Sequence, residues 1–396
     1  MAKVALDSEQ IQHFMRDMSE DFWGDLEQRT RLAFKRFLEA ESERERDRWC
    51  GLGWHERSAG GERKDMRNGY YERDFVTKFG TIRLRISRSR GRSHLPRYLE
   101  KFQRRAPELS LLIREAFVRG VSTRQVGRLL AVVTGEGVSA QTVSRLTRSL
   151  ESAVRSFHRE RLAGDWRFLY LDGVSLRVRG QGRRKRVQML VAYAVAADGR
   201  RRLLAFMRSG GESQAAWEGL LEDLRRRGLS GQSLELIVTD GCPGLAAALQ
   251  TVYPRVAHQR CWVHKMRNIV ARVRKREREA VKAGAQAIYL AEDLGGARAA
   301  FRKFKGRWGA AYPAMVKRLE EDMPELLACF RFPLHMRRKL RTTNVIERCF
   351  VEIRRRTRPM VCFVNLGSVD RIIFSIFNRF NKEWEKRTLR AFTQAA

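Results

Sequence analysis

Residues 163–258 constrain the fold more than any other part of the chain. Four apolar runs of strand length come first, at 166–171, 174–178, 187–196 and 202–207. They are followed by a helix, a strand and a helix, at 215–227, 234–239 and 243–252. Short apolar runs bounded by glycine and aspartate are typical of strands, whereas apolar residues three and four positions apart are typical of helices. This order predicts an α+β or α/β domain built around a buried sheet.

Two of the predicted strands end at an Asp-Gly pair, Asp172-Gly173 and Asp240-Gly241. The order of strand meander, helix, strand and helix fits a ribonuclease-H-like sheet, in which acids at strand ends converge at one edge. Other α+β folds with short strands remain open. Each aspartate also has a simpler explanation, because Asp-Gly is common in tight hairpins and in strand-to-helix turns.

A third acid stands near the start of a very basic amphipathic helix at 341–358. Glu347 lies in a segment whose apolar positions follow helical spacing, at Val345, Ile346, Cys349, Phe350 and Ile353. Since Glu347 comes three residues after Asn344, it also has the position of a capping-box residue. The helical wheel does not choose between Glu347 and Glu352, as neither lies on the apolar stripe.

Three carboxylates brought together have a defined chemistry. Phosphodiester cleavage and transfer need an activated hydroxyl and neutralisation of the leaving oxygen, which two hard cations about 4 Å apart provide. Hard cations such as Mg²⁺ prefer carboxylate oxygens. We therefore expect Asp172, Asp240 and Glu347 to bind divalent metal at a nucleic-acid phosphate.

The charge of the chain also indicates a nucleic-acid partner. Lys and Arg number 80 against 45 Asp and Glu, a formal net charge of +35. Because such a charge repels itself in a compact chain, a polyanion is the expected partner, and binding should depend steeply on salt. Ribosomal and chromatin-type proteins share this charge, but they rarely contain such a large predicted α/β core.

The cysteines and the apolar segments bear on the compartment. Six cysteines show no disulfide-framework spacing, and no signal peptide is visible. The longest apolar run, at 189–197, is too short to span a bilayer. We expect a reducing cytoplasmic location and no membrane.

The N-terminal part reads as a DNA-binding region. Apolar spacing predicts a helix at 8–48, and residues 51–106 read as an Arg-rich β element, with a turn at 67–71 and a strand at 81–86. A flexible basic linker is the alternative for this second segment.

Three further helices are predicted after Pro107, with Ser122 and Ser139 as N-caps of the second and third. Two short helices joined by a glycine turn suit a helix-turn-helix; a helical dimerisation element is the alternative. The predicted DNA contacts are Arg124, Gln141, Thr142, Arg145 and Arg148.

These patterns divide the chain into six segments. They are an N-terminal helical segment (1–50), the Arg-rich β element (51–106), the helix-turn-helix (107–160), the first part of the core (161–258), a helical insertion (259–340) and the final core helices (341–396). The insertion separates Asp240 from Glu347.

One further cluster is Cys261-x-x-His264. A structural zinc site needs four ligands, and no matching pair follows nearby. We interpret the pair as supporting the neighbouring strand and helix, with Arg260 and Arg348 as candidate phosphate contacts. Lys265 is a third such candidate.

Several of these motifs together resemble the mutator-type transposases of bacterial insertion sequences. The resemblance is carried by Thr342-Thr343-Asn344-x-x-Glu347-Arg348, by Asp240-Gly241 with Tyr253-Pro254, and above all by Gln259-Arg260-Cys261-x-x-His264-x-x-Arg267-Asn268. Arg67-Asn68-Gly69-Tyr70-Tyr71 and Gly120-Val121-Ser122-Thr123-Arg124 fit the same family. The chain departs from it after Ile86, where Ser87-Arg88 replaces a proline-arginine pair.

The resemblance implies a ribonuclease-H-like catalytic core interrupted by a helical insertion. It implies that Asp172, Asp240 and Glu347 bind two Mg²⁺ or Mn²⁺ ions, and that the enzyme cleaves and transfers strands at terminal inverted repeats of double-stranded DNA. It further implies a circular element intermediate, a homodimer or higher homo-oligomer, and a place at the bacterial nucleoid.

Overall fold

The computed structural model describes residues 8–51, 65–91, 94–100, 103–119, 121, 123–134, 137–179, 184–357, 363 and 365–393. Apart from a short stretch at 118–120, an N-terminal unit ends at Thr147 and a C-terminal unit begins at Arg148. Each unit has its own buried core. No helix within the described ranges has the length and apolar character needed to cross a membrane.

The N-terminal unit begins with a long helix and a β-hairpin. Helix α1 spans Ser8–Cys50, and strands β1 (Arg67–Thr77) and β2 (Gly80–Ser89) pair antiparallel. α1 packs on β2, and the core between them comprises Leu38, Phe75, Ile82, Leu84, Ile86 and Leu99. The predicted helix at 8–48 and strand at 81–86 are confirmed.

The predicted turn at 67–71 is wrong, because these residues open β1. Tyr70 and Tyr71 pair with Ser87 and Ile86, and the glycine beside them coincides with a register shift rather than a reversal. Aromatic residues favour strands, and the Arg85 guanidinium lies over the Tyr70 ring, 4.7 Å from its centroid. The chain instead reverses before Gly80, whose φ is +96°.

Three helices follow, as the sequence predicts. They are α2 (Pro107–Val118), α3 (Thr123–Thr134) and α4 (Ala140–Thr147). The Thr142 amide donates to the Ser139 hydroxyl over 3.2 Å, which confirms Ser139 as a cap, whereas Ser122 lies outside the described residues. A Cβ on Gly127 would meet the Val138 carbonyl oxygen at 2.2 Å, so only glycine allows α3 to approach the start of α4 this closely.

The C-terminal unit is built on a five-stranded mixed sheet. After α5 (Leu150–Arg159) come β3 (Trp166–Arg179), β4 (Arg184–Ala196), β5 (Arg201–Ser209), α6 (Gln214–Arg226), β6 (Leu236–Thr239), α7 (Pro243–Val252) and β7 (Ala257–Arg260). The strand order is β5-β4-β3-β6-β7; β4 is antiparallel to β3 and β5, whereas β6 and β7 run parallel to β3. The predicted mixed α and β class is confirmed.

Two predictions about this sheet are wrong. The runs at 166–171 and 174–178 form one strand, because β4 pairs continuously along both, with Gly173 opposite Leu190. Asp172-Gly173 is therefore not a turn. β7 was not predicted, and its last two residues lie in the segment 259–340, which was predicted to be helical. Its sequence, Ala-His-Gln-Arg, has no strand pattern, and the strand forms through parallel pairing with β6.

The remaining helices complete the unit. The helical block comprises α8 (Trp262–Val270), α9 (Arg278–Tyr289), α10 (Leu294–Trp308), α11 (Pro313–Leu326) and α12 (Leu334–Leu340), with short 3₁₀ turns at Lys275–Glu277 and Ala328–Arg331. It has its own apolar core around Trp262, Ile269 and Leu319. Three more helices follow, α13 (Asn344–Thr357), α14 (Leu366–Trp384) and α15 (Arg390–Thr393). α13 packs against β3 and α14 against β5, so α13 returns to the sheet strand that carries Asp172.

Candidate active site

Asp172 and Asp240 stand at the point where the pairing between the adjacent parallel strands β3 and β6 ends. The last residues of β3 and β6 that pair are Leu171 and Thr239, and each is followed directly by an aspartate. Asp172 is only 6% exposed, and its Oδ1 accepts a hydrogen bond from the Gly173 amide over 2.8 Å. The register of the parallel pair therefore brings the two carboxylates together at one edge of the sheet.

Asp240 also shapes the turn that follows β6. Its Oδ1 accepts from the Cys242 amide over 2.9 Å, at the start of α7. Gly241 has a φ of +87°, and a Cβ there would lie 2.9 Å from the Arg260 side chain. The strand-to-helix turn considered for Asp240-Gly241 is thus present, and it holds one carboxylate oxygen of Asp240 in place.

The charges around Asp172 link four side chains. Burial raises the pKa of Asp172, and the neighbouring Asp240 raises it further. His264 lowers this pKa and Glu347 raises it, so both lie within electrostatic reach of the buried carboxylate. Two acids from the sheet, one from α13 and a histidine from α8 share one site.

Glu347 faces α8. Its Oε1 lies 3.8 Å from His264 Nε2 and 3.7 Å from Arg267 Nη2. Within the described ranges, no three His, Cys, Asp or Glu side chains are grouped closely enough to hold a metal ion. The three acids therefore converge on one region in this structure without forming a closed ligand cage.

Glu352, the other acid of α13 that the helical wheel allowed, has a different environment. Burial raises its pKa, but Arg355, Arg356 and Arg379 outweigh that effect and lower the pKa to about 2. Its oxygens lie 2.9, 2.6 and 3.1 Å from the three guanidinium groups. Glu352 is engaged in ion pairs within α13 and with Arg379 of α14, whereas Glu347 lies within electrostatic reach of Asp172.

The Cys261-x-x-His264 motif fixes the start of α13 relative to α8. The Cys261 sulfur accepts from the Thr343 amide over 3.3 Å and from the Thr343 hydroxyl over 3.5 Å. The Trp262 amide donates to the Arg341 carbonyl over 3.0 Å. Interaction with Cys261 raises the pKa of the His264 imidazole, against the opposing effect of burial. The motif therefore places an imidazole of raised pKa 3.8 Å from Glu347.

A second set of charged groups, here termed the α11 cluster, comprises His258, Arg260, Lys265, Asp322 and Glu325. Arg260 lies 2.9 Å from Asp322 and 2.7 Å from Glu325, and His258 lies 3.4 Å from Glu325. The Lys265 ammonium pairs with Asp322 and donates to the Arg318 carbonyl over 2.9 Å. Two predicted phosphate contacts, Arg260 and Lys265, are thus engaged by carboxylates of α11.

The remaining predicted basic contacts are open to solvent. Arg348 is exposed beside Glu347, and it forms no ion pair with any carboxylate of the described residues. In the N-terminal unit Arg124, Gln141 and Arg145 are exposed on α3 and α4, and Thr142 is half-buried. Arg148 is exposed but lies just beyond the end of α4.

No local sequence pattern indicates the α11 cluster. Asp322 and Glu325 stand in an ordinary amphipathic helix, 65 positions from Arg260 in the case of Glu325. From local pattern alone, the basic residues of the Gln259–Asn268 run indicate phosphate contacts with DNA. Their carboxylate partners are distant in the chain, so local pattern does not show them.

Comparison with known proteins identifies the family. The family described as "Transposase, Mutator family" matches residues 3–387. The chain is 32% identical to the transposase for insertion sequence element ISRM5 of Rhizobium meliloti (strain 1021), over 89% of this chain and 87% of that protein. It is 34% identical to the transposase for IS406 of Burkholderia multivorans over 86% and 87% of the two chains. It is 30% identical to the transposase for IS905 of Lactococcus lactis over 84% of each. A match of this extent covers both units and the four side chains of the site: the chain belongs to the Mutator family of transposases.

Proposed function

We propose that this chain is a DDE-type DNA transposase whose catalytic acids are Asp172, Asp240 and Glu347. The observation that carries the proposal is the buried Asp172 carboxylate, which stands beside Asp240 where the pairing of β3 with β6 ends and within electrostatic reach of Glu347. Strongly perturbed acids that share a site are characteristic of functional centres. Membership of a transposase family supplies the substrate class, DNA.

The sheet supports a ribonuclease-H-like core. Three antiparallel strands and two parallel strands in the order β5-β4-β3-β6-β7 match that architecture, and the acids stand on its central strand and on the strand beside it. The helical block α8–α12 lies between Asp240 and Glu347 in the chain, as expected for an insertion into such a core.

The donor set fits divalent metal. Hard cations take carboxylate oxygens, and the raised pKa of Asp172 reports a buried negative charge that a cation would stabilise. Asp172, Asp240 and Glu347 would hold two Mg²⁺ or Mn²⁺ ions. When bound, such ions activate a water or a 3′-hydroxyl and neutralise the leaving oxygen.

The other side chains have supporting roles in this proposal. The β3–β6 pair presents two carboxylates from rigid strands, and Cys261 with Thr343 sets the start of α13 and hence the position of Glu347. The His264 imidazole, 3.8 Å from Glu347, helps to position that carboxylate. Arg348, exposed and next to Glu347, binds the phosphate of the DNA strand.

The N-terminal unit recognises the ends of the element. α3 and α4 act as a helix-turn-helix that places Gln141, Thr142 and Arg145 at base edges, while Arg124 contacts phosphate. Arg148, the residue at which the C-terminal unit begins, is a further phosphate contact. The protein acts in the bacterial cytoplasm at the nucleoid, as a homodimer or higher homo-oligomer. It binds terminal inverted repeats and target DNA, and the element passes through a circular intermediate.

A joint cleavage and strand-transfer assay tests the proposal. Labelled DNA carrying the element end is incubated with Mg²⁺ or Mn²⁺ and with wild type, Asp172→Asn, Asp240→Asn, Glu347→Gln or Glu352→Gln, and DNA binding is followed in parallel. We expect wild type to cut and join, the first three variants to bind without chemistry, and Glu352→Gln to retain chemistry in its folded fraction. Binding by wild type without any cutting would instead favour a DNA-binding regulator, and cutting without joining would favour a nuclease of the same fold.

A further inference from the structure

A large basic cavity lies beside the candidate site, within the C-terminal unit. Its volume is about 1380 Å³, and its walls come from β5, α8, α9, α12, α13 and α14. Small-molecule sites typically measure about 300–1000 Å³, so this space suits a segment of a polymer better than a metabolite. Arg267 joins the two regions, because it lines the cavity and its Nη2 lies 3.7 Å from Glu347 Oε1.

The lining is strongly cationic. Eight of its side chains are Arg or Lys, and one, Glu279, is acidic. Glu279 is engaged by Lys282 at 3.7 Å, whereas Arg338, Lys339 and Arg348 are exposed and form no ion pair with any carboxylate that the structure describes. A concave wall of uncompensated cations attracts and concentrates a polyanion.

The same lining presents aromatic rings. Phe380 and Trp384 stack at 5.1 Å with an interplanar angle of 17°, and the Arg201 guanidinium lies 4.9 Å from the Trp384 ring centre. The Arg341 guanidinium lies 4.7 Å from the Tyr289 ring centre. Tyr289, Phe380 and Trp384 are half-buried, so each ring keeps part of its surface toward the cavity.

Cations interleaved with aromatic rings fit unpaired nucleotides. Single-stranded nucleic acids are bound by a positive groove that follows the phosphates and by aromatic side chains that stack on the bases. An intact duplex keeps its base faces stacked internally and has none to offer to Tyr289 or Trp384. An inorganic or lipid phosphate would use the cations and make no use of the aromatic rings.

We propose that this cavity binds a single-stranded DNA segment, the unpaired nucleotides that adjoin the phosphate at the candidate site. Arg338, Lys339 and Arg348 contact its phosphates, and the rings of Tyr289 and Trp384 receive its bases. The proposal rests on the proposed function for the identity of the strand as DNA. It requires that this cavity bind single-stranded DNA in preference to duplex DNA.

Binding of a short oligothymidylate of about 8 nucleotides, within the range of known single-strand sites, gives the test. Fluorescence anisotropy is measured at several salt concentrations for the full chain, for the double variant Arg338→Ala/Lys339→Ala, and for the control Arg302→Ala/Lys303→Ala. The control removes an adjacent, exposed Arg-Lys pair from α10, another helix of the same unit, outside the cavity. Thermal unfolding of all three proteins verifies that each is folded.

We expect the cavity variant to bind the oligonucleotide roughly tenfold more weakly and the control to stay near wild type. Each lost phosphate contact reduces the magnitude of the slope of log affinity against log salt by about 0.7 for a single strand. The cavity variant lacks two contacts, so the magnitude of its slope should be smaller by about 1.4. Duplex of equal length should bind with no such difference between the two variants. Photocrosslinks from iododeoxyuridine in the oligonucleotide should fall on peptides that contain Tyr289 or Trp384.

Equal losses in the two double variants, or crosslinks confined to peptides outside the cavity, would overturn the inference. Its failure differs from failure of the proposed function. If the wild type cuts and joins element ends while both variants bind single strands alike, the inference alone fails. If the wild type never cuts DNA but the cavity variant selectively loses single-strand binding, the proposed function fails and the cavity assignment stands.

Discussion

The candidate site and the α11 cluster share helix α8, which contributes His264 to the first and Lys265 to the second, and they use similar residues in opposite ways. In the α11 cluster each carboxylate has a basic partner, and His258 and Arg260 lower the pKa of Glu325 to about 2 although burial acts against them. In the candidate site burial and Asp240 raise the pKa of Asp172. In the α11 cluster, paired charges hold α11 against the edge of the sheet. In the candidate site, the carboxylates repel each other, which lowers the stability of the fold, and a bound ligand would offset that loss.

The largest expected effect separates the two regions by activity. Asp240→Asn removes a proposed metal ligand, and losing several kcal/mol of transition-state stabilisation lowers the cleavage rate on the order of 10³-fold. The same change relieves repulsion on Asp172, so the free energy of unfolding should not fall. Single-turnover cleavage and urea unfolding of the same preparation measure both quantities. If the loss of activity instead followed a loss of folded protein, Asp240 would have a structural role like that of the α11 cluster.

The next effect separates them by stability. Asp322→Asn leaves the Lys265 ammonium, whose side chain is 8% exposed, without its carboxylate partner. Removing one member of a buried pair costs about 3 kcal/mol, which should appear as a lower free energy of unfolding. Glu320→Gln on the same helix removes a carboxylate from a half-exposed pair with Lys305 and serves as the control, with a change below about 1 kcal/mol. Similar losses for the two variants would remove the structural role of the cluster.

A smaller effect tests how the site is positioned. Cys261→Ala removes the sulfur that accepts from Thr343, and the loss of a supporting contact around such a site typically costs 10–100-fold in activity or metal affinity. We expect about a tenfold slower cleavage from this single support. Cys261→Ser keeps a hydrogen-bond acceptor, so it should recover most of the rate. If the serine and alanine variants were equally slow at equal stability, the sulfur would act in another way.

The smallest effect is a difference in pH dependence. Because the folded-state pKa of Glu325 lies below its usual 4.5, its contribution to stability is complete above about pH 4.5 and disappears as the pH falls through about 2. Asp172 has the opposite sign, since its raised pKa makes ionisation destabilising as the pH rises above 3.8. Unfolding measured against pH should therefore show Glu325→Gln approaching wild type at low pH, and Asp172→Asn gaining on wild type as the pH rises. Parallel curves for the two variants would contradict the assignment.

Local sequence pattern indicates Asp172 and Asp240 as candidate site residues, but it does not indicate the residues and strands that surround them. Asp172 and Asp240 were predicted because apolar strands with a clear end were visible, although β3 continues past Asp172 and only its pairing with β6 ends there. β7 was missed because four polar or small residues carry no strand signal and depend on β6 for their hydrogen bonds.

The choice between Glu347 and Glu352 was beyond the sequence for a similar reason. The two acids are equivalent on the helical wheel. Glu352 differs in its ion pair with Arg379, which belongs to another helix, α14. The α11 carboxylates that engage the predicted phosphate contacts Arg260 and Lys265 are likewise distant in the chain, so no local pattern indicates them.

The central claim is that Asp172, Asp240 and Glu347 form one metal-binding centre, and counting bound Mn²⁺ tests it most directly. Electron paramagnetic resonance of the full chain with element-end DNA, titrated with Mn²⁺, gives the number of ions held by wild type and by Asp172→Asn, Asp240→Asn, Glu347→Gln and Glu352→Gln. We expect two ions in wild type and in Glu352→Gln, and a loss of affinity or of an ion in each of the other three. Unchanged binding in Glu347→Gln, or a loss in Glu352→Gln at equal stability, would contradict it.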